Sequence, residues 1–278
     1  MEKAIIFGAT DTGKRIYEDI KNNVEVIFFV DEDSKHWGGQ VDGIPIKPPA
    51  DIASAHFDFI YVGVLTFYQE VCLLLKNMGV PTDKIIGRYV EIPTYARIEC
   101  LRNIWQMLDE DGIKGNVAEL GVFRGDFARE INRLFQDRIL YLFDTFEGFS
   151  EEDAVTEQKE GYSPKNRTGY FSNTSEQVVM EKMLYPEMVQ IRKGYFPKTA
   201  EKLEDIFCFV NLDADLYAPT LAGLNYFYPR MAPGGVILVH DYFSKAFKGA
   251  KAAVREFAKH QNIKFVPIGD TLSIAIRK

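Results

Sequence analysis

The chain has 278 residues, 33 Lys and Arg against 40 Asp and Glu, and a formal net charge of −7. Apolar residues make up 46% and charged residues 26%, enough for a real core and too apolar for a disordered chain. No long basic cluster and no membrane-length apolar run stand out, so neither a nucleic-acid nor a membrane partner is expected.

The first apolar run, Ala4-Ile-Ile-Phe7, is too short for a signal peptide and reads as a buried strand. Thr12 to Asn22 predicts a helix with Ile16, Tyr17 and Ile20 on one face. Strands follow at 24–30 and 57–62, with a short edge strand over 43–49 stopped by prolines. Tyr68 to Met78 predicts a helix closed by Gly79, and 84–86 a last short strand. This alternation implies a small parallel sheet of Rossmann-like type over residues 1–92. Its turn, Phe7-Gly-Ala-Thr-Asp-Thr-Gly13, imitates a phosphate loop, but Arg15 stands where Mg²⁺ binding needs Ser or Thr. Asp31 lies about 20 residues further on and would suit a ribose, yet a sheet this small is half a dinucleotide site. Assembly or substrate presentation with an empty cleft is the alternative.

Glu91 to Ala96 reads as a linker, and residues 96–109 as an amphipathic helix lying on the sheet of a second domain, 93–278. Its strands are expected at 117–120, 139–143, 188–192, 206–212, 236–239, 263–267 and 272–276, the last two as an antiparallel edge pair. The overall class is therefore α/β, a small parallel sheet plus a larger doubly wound one. Residues 148–175 are polar and lack periodicity, and read as a lid loop over a ligand cleft. Cys72, Cys100 and Cys208 are widely spaced and read as reduced, buried thiols of a cytoplasmic protein.

Three stretches carry chemistry. Val117-Ala-Glu-Leu-Gly-Val-Phe-Arg-Gly125 reads as strand, glycine turn and helix, and Ile139-Leu-Tyr-Leu-Phe143 as a strand ending in Asp144. Gly121 and Gly125 allow close backbone approach, and Asp144 stands where an acid can hold a ribose. The spacing Glu-x-Gly-x-x-x-Gly leans toward S-adenosylmethionine over NAD. Glu119, Gly121, Gly125, Asp144, Thr145 and Asp213 are the candidate cofactor residues. An ordinary strand-turn-helix with a surface Asp is the plainer alternative.

Phe209-Val-Asn-Leu-Asp213-Ala-Asp215 and Pro233-Gly-Gly-Val-Ile-Leu-Val-His240-Asp241-Tyr242 each end a buried strand in polar residues. If those strands are neighbours, Asp213, His240 and Asp241 converge beside the ligand. Carboxylate oxygens suit Mg²⁺. A strand-end Asp also caps a following helix, and for Asp215 capping is the favoured reading.

With Asp144-Thr-Phe-Glu-Gly148, Lys193-Gly-Tyr-Phe-Pro197 and Leu212-Asp-Ala-Asp-Leu-Tyr217 added, the order of motifs resembles macrocin O-methyltransferases of the TylF/MycF type over residues 95–278. The resemblance implies a class I S-adenosylmethionine-dependent fold and Mg²⁺-assisted methylation of a sugar hydroxyl. It implies Asp213 as metal ligand and base, Asp241 as metal ligand, and Glu119, Gly121 and Asp144 on the cofactor. The macrolide-tailoring members carry Asp-Asp-Tyr where this chain has His240-Asp241-Tyr242. His240 is a softer ligand than Mg²⁺ prefers, and could bind another divalent cation, act as base or orient Asp241. The resulting reading is an O-methyltransferase acting on a small-molecule or glycan sugar, in a homo-oligomer. Its rivals are an NAD-dependent sugar-nucleotide oxidoreductase, which lacks a Tyr-x-x-x-Lys pair at a fitting distance, and a non-catalytic sugar-nucleotide-binding module.

Overall fold

The computed structural model describes residues 1–278, which divide into two units, Met1–Tyr95 and Ala96–Lys278. The first unit contains β1 (Glu2–Phe7), α1 (Asp11–Ile20), β2 (Val24–Val30), β3 (Gln40–Val41), β4 (Ile44–Lys47), β5 (Phe59–Val62), α2 (Tyr68–Asn77) and β6 (Ile85–Ile86). Its sheet order is β3-β4-β2-β1-β5-β6. Strand period sorts the apolar residues of β1 onto two faces. Ala4 and Ile6 pack with Ile16 and Ile20 of α1, whereas Ile5 and Phe7 pack with Val71 and Leu75 of α2.

The sheet is not wholly parallel. β3 and β4 form an antiparallel edge pair, where a single edge strand was expected. The cause is Asp42-Gly43, both with positive φ (48° and 83°), a dipeptide that favours a tight hairpin. At the end of β2, Asp31 Oδ2 accepts the Ala9 N–H (3.3 Å) and pairs with His36 Nδ1 (3.1 Å), while Oδ1 accepts the Asp33 N–H (2.9 Å). That carboxylate therefore closes the loops around it.

The expected linker at 91–96 is helical. It belongs to α3 (Arg88–Glu110), which contains Pro93. Proline inside a helix leaves the carbonyl four residues back without its donor. That carbonyl is Tyr89 O, and the Arg15 guanidinium donates to it at 3.3 Å. The Thr94 hydroxyl bonds Val90 O (2.8 Å) in the same turn. The helix thus survives its proline because a side chain replaces the missing N–H.

The second unit continues with β7 (Asn116–Leu120), α4 (Asp126–Leu134), β8 (Leu140–Asp144), α5 (Glu151–Lys159), α6 (Glu176–Met180), β9 (Val189–Lys193) and β10 (Phe207–Leu212). It ends with α7 (Tyr217–Phe227), β11 (Met231–Val239), α8 (Lys248–Gln261), β12 (Val266–Pro267) and β13 (Ile274–Arg277). The sheet order is β12-β13-β11-β10-β7-β8-β9, parallel except for β13, which runs antiparallel to both β11 and β12. From β7 the chain moves outward to β9, then returns to the other side of β7 at β10. The switch point therefore lies between β7 and β10, where open α/β sheets bind ligands.

One face of this sheet buries Val117, Leu140, Phe209 and Leu238 against Leu101, Ile104 and Leu108 of α3, as their helical spacing predicts. The other face buries Leu120, Phe143, Leu212 and Val239 against Leu224 of α7 and Phe257 of α8. The 148–175 segment is not all loop. It contains α5, whose N-cap Ser150 accepts the Asp153 N–H (3.1 Å) ahead of an acidic first turn. Of the free cysteines only Cys208 is buried; Cys72 and Cys100 are half-buried. No helix is long and apolar enough to cross a membrane.

Arg15→Met removes the donor at Tyr89 O. It is expected to cost about 1 kcal/mol, the usual net worth of one such bond, read as a lower urea midpoint. Adding Pro93→Ala restores the intrahelical N–H and is expected to recover that loss.

Candidate active site

The turn after β7 is built by contact between two backbones. Gly121 has φ 85°, and a Cβ there would lie 2.1 Å from Asp213 O. The Asp213 N–H in turn donates to Leu120 O at 2.8 Å. No other residue lets β7 and β10 leave the sheet this close together.

Asp144, at the end of β8, organises the same turn. Its Oδ2 accepts the N–H groups of Val122 (2.7 Å) and Phe123 (2.9 Å), and Oδ1 accepts that of Phe146 (2.7 Å). Phe123 and Phe146 are left-handed, with φ 48° and 56°. Such a conformation costs a bulky residue about 1–3 kcal/mol, so these bonds hold the turn against strain. Thr145 stays within its own turn, donating to Gly148 O (3.0 Å) and accepting the Glu147 N–H (3.2 Å).

Glu119 is buried at 2% exposure. Its Oε1 accepts the Asn211 side-chain amide at 2.8 Å, and Oε2 has no partner. Burial, reinforced by the negative charge of Asp213, raises its pKa well above the usual carboxylate range.

The residues after β10 and β11 form the second half of the site. His240 Nδ1 lies 3.0 Å from Asp213 Oδ1 and 2.6 Å from Asp241 Oδ2. The other oxygen of Asp213 accepts Arg97 Nη2 at 2.8 Å. Burial opposes the Asp213 charge, but the cations His240 and Arg97 outweigh it and hold the pKa well below its ordinary value. Burial likewise opposes a charged His240, yet Asp213 and Asp241 push its pKa up to about 10. Asp215 follows in a left-handed conformation (φ 60°). Burial and the charges of Asp241 and Asp213 raise its pKa well above the usual range. It does not cap α7, whose N-cap is Leu216 without a side-chain bond. Glu157 of α5 accepts the Tyr217 N–H instead, at 2.6 Å. The favoured capping reading for Asp215 is therefore replaced by a carboxyl packed among the other acids.

A cleft of about 680 Å³, its open mouth included, runs along these strand ends. Gly121, Asp144, Thr145 and Asp213 line it; Glu119, Gly125, His240 and Asp241 are not on its wall. Gly125 instead starts α4, where a Cβ would sit 3.0 Å from Val179 Cγ1. The 148–175 segment supplies Gly148, Phe149, Ser150, Asp153 and Phe171 to the wall. Phe149 and Phe171 meet edge to face at 5.5 Å, and Phe171 meets Phe123 at 5.1 Å, which makes one flank aromatic. Tyr195 bonds Asp153 Oδ1 (2.9 Å) at the polar flank.

Arg97 and Asn211 were not singled out from the sequence. Asn211 carries a legible signal, a polar residue within the apolar strand Phe207–Leu212, buried there at 0% exposure. Arg97 carries none, because a charged residue near a helix start is ordinarily solvated.

A family model described as macrocin-O-methyltransferase (TylF) matches residues 90–276, and one described as C2185-like, N-terminal, matches residues 1–86. The mycinamicin III 3''-O-methyltransferase of Micromonospora griseorubida is 26% identical over 179 residues, 60% of this chain and 69% of that protein. The 8-demethyl-8-(2,3-dimethoxy-alpha-L-rhamnosyl)-tetracenomycin-C 4'-O-methyltransferase of Streptomyces olivaceus is 28% identical over 164 residues, 55% of this chain and 63% of that one. Among solved structures, that of CalS11, a calicheamicin methyltransferase, shares the fold at TM-score 0.57 and 18% identity, over 76% of this chain and 90% of that chain.

Gly121→Ala places a methyl group against a backbone carbonyl and strains φ. It is expected to lower the thermal midpoint and abolish ligand binding in an S-adenosylmethionine titration. Gly125→Ala, off the cleft wall and against a side chain, is expected to lower the midpoint with affinity retained.

Proposed function

The chain belongs to the macrocin O-methyltransferase family and is an S-adenosylmethionine-dependent O-methyltransferase, and on that premise we propose that its acceptor is a hydroxyl of a sugar on a small molecule or glycan. The observation that carries this reading is the Asp213–His240–Asp241 cluster at the switch point, next to the Gly121 turn and its cleft.

The residues fit the cofactor. Glu119 Oε2 is a buried oxygen without a partner, off the cleft wall, and an ammonium such as that of the methionine moiety, on reaching it, would favour the ionised carboxylate. Asp144 uses three of about four lone-pair directions on backbone N–H groups, leaving one for a ribose hydroxyl. Phe123, Phe149 and Phe171 give that region an apolar, aromatic flank. The sulfonium methyl is activated by the cofactor itself, so the protein's task is alignment of the acceptor oxygen.

The acceptor side also fits a divalent cation. Asp213, His240 and Asp241 offer one ligand atom each, all within 4.8 Å of one another. Two carboxylates with one imidazole suit Mg²⁺ less well than a borderline divalent ion. When bound, such a cation would lower the pKa of the acceptor hydroxyl. Asp213 Oδ1 and His240 Nδ1 lie 3.0 Å apart, so the two groups titrate as a pair, and the pair accepts a proton from the hydroxyl only after the imidazolium has released its own. Arg97 keeps the other Asp213 oxygen occupied. The first unit we assign to acceptor presentation or assembly.

The test uses radiolabelled S-adenosylmethionine with p-nitrophenyl rhamnoside and a panel of sugar nucleotides. Label should appear on a sugar hydroxyl. Cofactor binding without transfer to any sugar would exclude the acceptor class. Asp213→Asn is expected to lower turnover about 10²–10⁴-fold, the range for a lost general base, with S-adenosylmethionine affinity retained.

His240→Asp separates the roles of the imidazole. Retained, Mg²⁺-dependent turnover would make His240 a replaceable ligand. Lost turnover with intact metal binding, followed by equilibrium dialysis, would make it the base. Full turnover of the parent after exhaustive chelation would remove the cation from the reaction.

A further inference from the structure

Arg97 is an unusual place to spend a buried cation. It sits on α3 near the start of the second unit, and its side chain is only 14% exposed. The guanidinium carbon lies 4.1 Å from the centre of the Phe127 ring, so one face is seated on an aromatic surface. Its Nη2 donates to two acceptors, Asp213 Oδ2 at 2.8 Å and Asn211 Oδ1 at 3.1 Å. Asn211 cannot turn away, because its own amide donates to Glu119 Oε1 at 2.8 Å. The guanidinium is thus fixed from below by a ring and from the edge by an amide whose orientation is already set.

This has a consequence for Asp213. A strand-end carboxylate exposed at 22% can rotate, and either oxygen could face the imidazole. With Oδ2 held by Arg97, Oδ1 is left to His240 Nδ1 at 3.0 Å. Charge alone would not achieve this. A lysine could neutralise Asp213 as a point charge, but it lacks the delocalised group that sits over the Phe127 ring and donates to Asp213 Oδ2 and Asn211 Oδ1 together.

We propose that Arg97 is a positioning residue of the methyl-transfer site: anchored by Phe127 and by the Glu119–Asn211 pair, it orients Asp213 so that one oxygen meets the His240 imidazole. The same chain of contacts, Glu119–Asn211–Arg97–Asp213–His240, joins the glycine-turn strand to the acceptor-side cluster. The proposal rests on the methyltransferase reading for its meaning, though not for its geometry.

The experiment reads His240 directly in the full chain. Histidine is labelled with ¹⁵N, and His240→Gln identifies its Nδ1 resonance among the four histidines. Arg97→Lys and Arg97→Ala are compared with the parent, and S-adenosylmethionine affinity is measured calorimetrically on the same samples. The Nδ1 resonance should shift or broaden in both variants. Addition of guanidinium at low, non-denaturing concentration should return it toward the parental position in Arg97→Ala and leave the parent unchanged. Cofactor affinity should be retained in Arg97→Lys.

A His240 spectrum in Arg97→Lys that superimposes on the parent's would overturn the proposal. So would a shift that guanidinium cannot reverse in a folded Arg97→Ala protein, since that marks a structural role only. If Arg97→Ala fails to fold, Arg97→Lys still decides. Failure of the functional reading has a separate signature: a parent protein that does not bind S-adenosylmethionine, whatever the His240 spectrum does.

Discussion

Everything at the site depends on how closely two strand ends approach one another. Gly121 at the end of β7 and the Asp213 carbonyl after β10 leave no room for a side chain between them. That approach brings the glycine turn and the acidic cluster into one place. It also explains why Asp213 does two jobs: its backbone closes the switch point through Leu120, and its side chain faces His240. A change that moved β10 outward would separate the cofactor side from the acceptor side before it altered any side-chain chemistry.

The carboxylates around this point behave differently because their neighbours differ. Asp144 accepts three backbone N–H groups and serves the turn. Asp213 is held ionised by two cations despite burial. Glu119 and Asp215 face other acids in a desolvated setting and hold protons more tightly. Asp213 is thus charged by its surroundings, whereas the charge of Glu119 and Asp215 depends on what else occupies the site.

Much of this was legible in the sequence. Short apolar runs such as Ala4–Phe7, alternating with helical segments, predict both sheets, and the spacing of Leu101, Ile104 and Leu108 predicts the helix that covers the larger one. Asp213, His240 and Asp241 follow from carboxyl-end placement on neighbouring strands. What failed did so for local reasons. Pro93 reads as a break because the rescuing donor, Arg15, is 78 positions away in the chain. The helix Glu151–Lys159 has almost no apolar stripe, so periodicity cannot find it, although its Ser150 cap could have. Arg97 was invisible because its value comes from Phe127, Asn211 and Asp213, three partners that only the tertiary fold assembles.

Backbone strain follows the same geography. Phe123, Phe146, Asp215 and Asp241 are all left-handed without being glycine, and each lies two or three residues past the end of β7, β8, β10 or β11. A left-handed residue turns the chain sharply, and here it does so just past each strand's carboxyl end. Of the four, Phe123 and Asp215 stand on the cleft wall. Glycine at these positions would relieve the strain but would give up the aromatic flank at Phe123 and the carboxylates at Asp215 and Asp241. The fold tolerates about 1–3 kcal/mol at each such position because the functional side chains must stand where the backbone turns. The compensating bonds are visible: Asp144 holds two of the four, and the Asp241 side chain is fixed on His240.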